Sequence, residues 1–424
     1  MIIKNYASLG SNRNKKIVLQ ILEKGIHAAM PDQILSRIVH KDMLHIGKDK
    51  ITLSKYSGIF VVAFGKAADS MTNAVTRITN ITSGIVVIPK NVDSVLKNKD
   101  FKTIHAGHPI PDKDSVFAAK TIIQFLQTRK YNDFVIFLIS GGGSSLVALP
   151  DGIALADKQK ITKLLLNCGA NIHEINCVRK HFSKIKGGWM SEYLKCNAVS
   201  LILSDVVGND LSSIASGPTY FDRTTFVHAE KILKKYGLEK DVPKNALKRI
   251  KLGVRHKISE TPKRARIKNY IIAKNENCLL EMEKKAKSFG LRTKILSSID
   301  DDVAIAARKL IAASKPHTCL IFGGETTVKV QGNGKGGRNQ ELVLYSLIES
   351  RKKNHDMIIA SIGTDGIDGN TAACGAILSN LESKIDQTQR FLKNNDSYSL
   401  LKKQNALIFT GPTHTNLMDI GIIL

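Results

Sequence analysis

The sequence is short of several things, and each shortage removes a class of protein. No apolar run approaches the ~18 residues needed to cross a bilayer, so no membrane-spanning helix is expected. The six cysteines (Cys168, Cys177, Cys196, Cys278, Cys319 and Cys374) include no CxxC pair. That argues against a disulfide framework or a zinc site and for reduced thiols in a cytoplasmic protein. Residues 1–16 lack the apolar stretch of a secretory signal. Acidic residues are scarce: 37 Asp and Glu stand against 63 Lys and Arg, a formal charge of +26. Such a surface attracts nucleotides, phosphorylated metabolites or nucleic acid. Nucleic acid is not expected, because no aromatic-interleaved basic stripe or reader module accompanies the charge. Prolines are few, and 43% of the 424 residues are hydrophobic, so the chain is a folded one of two or three domains.

What is present is a recurring order of apolar strand, polar loop and helix, which predicts an α/β protein with parallel sheets. Residues 15–46 have helical spacing. Residues 59–64 form an apolar strand, Gly65-Lys66-Ala67-Ala68 is its exit, and a helix follows over 67–78. Lys66 therefore stands at a helix N-terminus, where the dipole disfavours a cation. Either a bound anion resolves that conflict or water screens an exposed side chain. A strand over 84–89 precedes HAGHPIPD, where His108 either orients a substrate or ties the loop. A helix follows over 115–128. The strand over 134–139 runs into Ser140-Gly141-Gly142-Gly143-Ser144-Ser145. Three glycines permit a backbone nest for an anion, or simply a mobile loop. The loop lacks Gly-Lys-Ser, so it is no P-loop, and Leu146 rules out a hydrolase elbow.

Further along, the basic stretch 178–188 ends in a glycine pair, and a buried strand over 198–203 exits at Ser204-Asp205. Asp205 could hold a hydrated magnesium, accept a proton or cap a helix. Residues 220–268 are polar, basic and helical and are expected to hold a boundary, giving domains 1–260 and 261–424. Strands are expected over 270–273, 319–322 and 358–362, with helices over 278–289 and 301–314. Asp365 and Asp368, after the strand over 358–362, could bind a metal or substrate hydroxyls, or form turns.

The chain is organised around GGETTVKVQGNGKGGRNQE at 323–341. Glu325 follows a strand end, 326–330 could pair as a second strand, and Gly332, Gly334, Gly336 and Gly337 strip side chains from a loop carrying Lys335 and Arg338. A helix opens at Asn339. A glycine-rich loop entering a helix suits an anion, though it also serves as a flexible turn. The spacing Gly332-x-Gly334-x-x-Gly337 matches a dinucleotide fingerprint. However, Asp356 precedes the following strand, the wrong end for holding a ribose, and the loop is too long for a tight pyrophosphate turn. A phosphate-cradling loop of another type is preferred.

Together, GKAA at 65, HPIPD at 108, SGGGSS at 140, KHFSKIKGG at 180, LSDVVGND at 203, IASGPT at 214, the 323–341 segment, GTDGIDG at 363 and TGPTHTN at 410 resemble the type II glycerate kinases. That family has often been labelled hydroxypyruvate reductase. The resemblance implies ATP-dependent phosphorylation of D-glycerate with Mg2+, most often at the 2-hydroxyl. It also implies a Rossmann-like N-terminal domain with a parallel sheet and a smaller α/β C-terminal domain; the sequence leaves a monomer or a homodimer open. On this basis Lys66, Asp205 and Arg338 are expected to be catalytic. Ser140, Gly141, Gly142, Gly143, Ser144, Ser145, Gly334, Lys335, Gly336 and Gly337 are expected to bind substrate or phosphate. Asp205, Glu325 and Asp365 are candidate magnesium ligands. The sequence departs from the family at Asn209 and Ala372, where Asp is more frequent, and at His414, where Gly is. The competing activity is reduction of hydroxypyruvate with NAD(P)H, which would require a well-placed dinucleotide fingerprint.

Overall fold

A computed structural model describes residues 1–351, 353, 356–381 and 388–424. The chain divides into two compact units, Leu35–Ile272 and Met1–Ile34 with Ala273–Leu424.

In the first unit the strand sequences GIFVVAF and DFVIFLI are buried at every position. Continuous rather than alternating burial marks strands covered on both faces, as in a parallel sheet. The sheet runs in the order Phe101–Ala106, Ser83–Pro89, Gly58–Phe64, Asp133–Ile139, Asn197–Leu203, Lys268–Ala273. Numbered along the chain this is 3-2-1-4-5-6, the doubly wound dinucleotide-type order, and the first four pairings are parallel. Its order reverses between Gly58–Phe64 and Asp133–Ile139, so the loops leaving those strands flank the switch point where such sheets bind ligands. Val62, Phe64, Val87, Phe137 and Ile139 fill the core beneath them.

The expected helical run 15–46 stops early. Helices Arg13–Ala29 and Pro31–Leu35 give way to a small antiparallel sheet through Val39–His40, Met43–Ile46 and Asp49–Thr52. The polar run 220–268 contains no boundary. Its helices Phe226–Lys235 and Lys244–Val254 pack with Leu155–Asn167 and Ile172–His181 around Ile161, Phe182, Phe226 and Ile250. The division between units falls instead at 272/273, and residues 1–34 group with the C-terminal part rather than with 35–260. The reason is packing: a Cβ on Gly25 would lie 2.8 Å from Met282 and 2.6 Å from Ile420, so the first long helix lies directly on C-terminal elements.

The second unit carries a six-stranded sheet in the order Arg292–Ile299, Thr318–Gly324, Asp419–Ile423, Ile358–Gly363, Gly375–Ser379, Leu407–Ile408. Only the first pair is parallel; the others are antiparallel, which corrects the expectation of parallel sheets throughout. The 326–330 stretch is not a strand. It makes one isolated bridge, Asp302 to Thr327, because the pairing edge beside Thr318–Gly324 is already filled on both sides. No helix among the described residues is long and apolar enough to cross a membrane. Five of the six cysteines are buried. Burial pushes Cys177 up to about 11 and Cys278, Cys319 and Cys374 up to about 12, so none of these four is a ready thiolate.

Candidate functional site

In the first unit, the two loops at the switch point are bound to each other. Lys66 lies between the Gly58–Phe64 strand and the helix Ala68–Ile78, one residue before the N-cap Ala67. Its amide donates to the Gly141 carbonyl at 2.8 Å, and the Ala67 amide donates to Ser140 Oγ at 3.0 Å. Gly65 permits this approach: its φ is 130°, and a Cβ there would sit 2.2 Å from Ser140 Oγ. Gly142 adopts φ 81° and initiates a single helical turn, Gly143–Leu146. A Cβ on Gly142 would meet the His108 ring at 2.9 Å and Lys66 Cγ at 3.5 Å. His108 and Lys66 therefore stand over the bare backbone of the SGGGSS loop. The HAGHPIPD loop holds this position through Asp112, whose carboxylate accepts from the Gly107, Asp114 and Ser115 amides.

Ser144 is the best-connected hydroxyl of the loop. It contacts Ser216 Oγ at 2.7 Å and accepts from Arg179 at 2.7 Å and Lys186 Nζ at 3.0 Å. Ser216 donates to Asn176 Oδ1 at 2.9 Å. Ala215 and Ser216 hold left-handed backbone, φ 49° and 62°, a conformation costly to non-glycine residues and concentrated at functional sites. Asp205 is half-buried, just beyond the Asn197–Leu203 strand. Asp210 is engaged locally: it accepts from the Ser212 and Ser213 hydroxyls at 2.7 Å each. Burial opposes its charge, but those bonds outweigh burial and lower its pKa.

In the second unit, Arg338 is the first residue of the helix Arg338–Ser350. Its guanidinium forks onto Asp419, Nε to Oδ2 at 2.5 Å and Nη2 to Oδ1 at 3.0 Å, and pairs with Glu325 at 2.9 Å. Burial works against its charge; Asp419 and Glu325 more than offset this and hold it protonated above its ordinary range. Gly324 and Gly363 both pair with Asp419 in register, so Glu325, Asp419 and Asp365 fall at one end of three adjacent strands. Hard carboxylate oxygens suit Mg2+. Still, among the described residues no three His, Cys, Asp or Glu side chains form a group able to hold an ion, and Arg338 stands between Glu325 and Asp419.

The glycine-rich loop differs from its expected role as a backbone cradle. Most of its amides are already taken: Gln331 and Gly332 donate to Asn395 Oδ1, Gly334 to the Asn394 carbonyl, Lys335 to Asp396 and Gly336 to Asn370. The helix N-terminus is also filled. Asp368, 2% exposed, accepts the Asn339 and Gln340 amides at 3.1 and 2.9 Å and their side-chain amides at 3.3 and 3.0 Å. Burial pushes the Asp368 pKa up to about 6, against the pull of those amide donors. Asp368 is thus a helix cap, not a free ligand. Of the residues expected to bind through this loop, Gly334, Gly336 and Gly337 are fitted to their neighbours, while exposed Lys335 keeps its side chain outward. Asp419, which anchors Arg338, was not singled out from sequence. It lies in a short apolar terminus whose place in the middle of a sheet no local pattern reveals. His414 keeps a left-handed backbone (φ 53°), consistent with the glycine more frequent there.

The fold and site define a two-unit α/β protein with a hydrogen-bonded pair of glycine-containing loops at a doubly wound switch point. Two sequence profiles match, one described as a domain of unknown function (DUF4147) over residues 17–251 and one as the MOFRL family over 318–419. The chain is 38% identical to a glycerate 2-kinase of Pyrococcus horikoshii, covering 97% of both chains. It is 39% identical to a D-glycerate 2-kinase of Thermotoga maritima, covering 97% of this chain and 98% of that one. The crystal structure of glycerate kinase from Thermotoga maritima superposes with a TM-score of 0.82 at 36% identity, over 96% of this chain and 98% of that one. The chain belongs to the type II glycerate kinase family.

Proposed function

We propose that this protein transfers the γ-phosphoryl group of ATP to the 2-hydroxyl of D-glycerate, giving 2-phosphoglycerate and ADP. The observation that carries the reading is the hydrogen-bonded junction of Gly65-Lys66-Ala67 with Ser140-Gly141-Gly142 at the switch point. The names of the relatives supply the acceptor and the position phosphorylated. Phosphoryl transfer requires mainly positioning and neutralisation of charge on the transferred group. Lys66, over the bare Gly142 backbone, supplies a cation at a helix start, where a bound phosphate would offset the unfavourable dipole. Asp205, beyond a neighbouring strand of the same sheet, accepts the proton of the attacking hydroxyl.

Arg338, Glu325 and Asp419 carry one negative charge in sum. That suits a metal–nucleotide complex better than a bare phosphate. Magnesium would bind at Glu325 and Asp365, completing its shell with water and phosphate oxygens, and would neutralise charge on the phosphates. Arg338 is held in one orientation by its fork on Asp419, and exposed Lys335 adds a positive charge to the same loop.

Hydroxypyruvate reduction fits less well. The doubly wound sheet places a dinucleotide fingerprint in its first strand-to-helix turn, and here that turn reads Gly65-Lys66-Ala67-Ala68. The literal GxGxxG at 332–337 lies in the other unit with most of its amides engaged. A coupled assay decides: ADP release with D-glycerate, ATP and Mg2+, and no NADH oxidation with hydroxypyruvate. The opposite pattern would sink the kinase reading.

A further inference from the structure

The basic stretch behind the SGGGSS loop holds charges that the catalytic scheme leaves unused. Lys158 and Lys186 are 3% and 1% exposed. Lys186 Nζ donates to the Ser144 carbonyl at 2.7 Å and to its hydroxyl at 3.0 Å, and Arg179 donates to the same hydroxyl at 2.7 Å. Lys158 Nζ, Arg179 Nε and Asn176 Nδ2 are buried donors without a hydrogen-bond partner. The four side chains converge: Asn176 reaches Ser144 through Ser216, and Lys158 feels the charge of Arg179. The charges that bear most on Lys158 and Lys186 are those of neighbouring cations. The nearby acid Asp222 is paired with Lys180 at 3.3 Å and bonded to Thr224 and Thr261.

Burying one uncompensated ion is costly, and grouping three compounds the cost through mutual repulsion. Burial drives the Lys158 pKa down to about 7 and that of Arg179 to about 10, with Lys186 also well below its ordinary value. A diffuse basic surface would not produce this, because exposed cations are screened by water. Unsatisfied buried donors in a polar cluster call for a missing acceptor.

We infer that Lys158, Arg179, Lys186 and Asn176 form a seat for the carboxylate of a small 2-hydroxy acid, held beside Ser144. Three buried donors lack partners, a number that suits a two-oxygen planar group rather than a polyphosphate. The guanidinium matches a carboxylate in geometry, and the two ammonium groups supply point charge. The kinase reading supplies the identity of the acid; the existence of an anion seat stands on the cluster alone.

The test uses the full-length protein and two variants, Lys158→Met and Arg179→Gln. KM is measured separately for D-glycerate and ATP. Melting is followed with added D-glycerate, glycerol or inorganic phosphate. Each variant is expected to raise the KM for D-glycerate about 10- to 100-fold, the loss of a charged hydrogen bond, and to leave that for ATP within about twofold. D-glycerate, but not glycerol, should raise the melting temperature of the unmodified protein, and both variants should lose that response. A raised KM for ATP with an unchanged one for D-glycerate, or stabilisation by phosphate but not by D-glycerate, would move the seat to a phosphate and overturn the assignment. Unchanged constants for both substrates would overturn it outright. If the unmodified protein shows no turnover of D-glycerate, the kinase reading fails, and the melting responses still decide whether the seat exists. Arg179→Gln keeps the question open to measurement should Lys158→Met not fold.

Discussion

Two glycine-rich loops in this molecule look alike in sequence and differ in which polar groups around them are satisfied. At 332–337 the missing side chains make room for neighbours: a Cβ would lie 2.4 Å from Asp396 at Gly334, 2.1 Å from Ser397 at Gly336 and 2.3 Å from Asp368 at Gly337. The amides of that segment are held by Asn394, Asn395, Asp396 and Asn370, and the helix behind it is capped by a buried carboxylate. At 140–145 Gly143 is likewise fitted to Phe64 and Ala215 and Gly142 to His108, but Lys66 lies over the Gly142 backbone, and buried donors of Lys158, Arg179 and Asn176 behind Ser144 have no hydrogen-bond partner. Glycine content signals close approach of something; whether that is the protein itself or a ligand depends on which donors remain open.

The comparison is broken most directly at Lys66. Lys66→Ala should lower kcat about a hundredfold, roughly 3 kcal/mol of transition-state stabilisation, while leaving the melting temperature nearly unchanged. Lys66→Arg should recover only part of the rate, since a planar fork does not replace a compact charge. Steady-state kinetics beside a thermal melt checks both; normal turnover in Lys66→Ala would remove this residue from the mechanism.

The second loop should respond the other way. Asp368→Ala leaves the Asn339 and Gln340 amides uncapped in a buried site and should destabilise the fold by about 3 kcal/mol in urea unfolding. A stability loss under about 0.5 kcal/mol would show that the cap is dispensable.

A pH series sharpens the difference in charge. Lys158 has a folded pKa of about 7 against an ordinary value of 10.5. Between those values the unfolded chain binds more protons, so this group makes stability rise with pH, and its penalty is fully developed and constant below about pH 7. Arg179, Lys180 and Lys186 face the same cluster, so the transition belongs to the group as a whole. At pH 6 Lys158→Met should exceed the unmodified protein in stability by about 2 kcal/mol, with the gap closing near pH 10. Parallel stability curves for the two proteins would refute it.

The smallest effect is expected at Lys335. Its side chain is exposed, so Lys335→Ala should shift stability by less than about 0.5 kcal/mol. Its KM for ATP should rise severalfold at low salt and converge on the unmodified value at high salt, as screening removes a surface charge. A salt-independent KM would argue that Lys335 does not meet the nucleotide.

Local sequence determined a good deal. The apolar runs at 59–64, 134–139 and 198–203 fixed buried strands, because continuous hydrophobicity has no other low-energy home in a polar loop context. The position of Lys66 before a helix and of Asp205 after a strand followed from the same patterns. The ordered motifs also pointed to the family. Tertiary structure alone decided the rest. The partner of Arg338 is Asp419, 81 residues away, brought alongside by antiparallel pairing of the last strand. The first 34 residues group with the C-terminal part because Gly25 admits Met282 and Ile420 at close range. The saturation of one glycine loop and the uncompensated charge behind the other depend on side chains tens of residues distant. Hydrogen-bond partners and counter-ions are set by proximity in space, and the periodicities of a sequence report only which face of each element is buried.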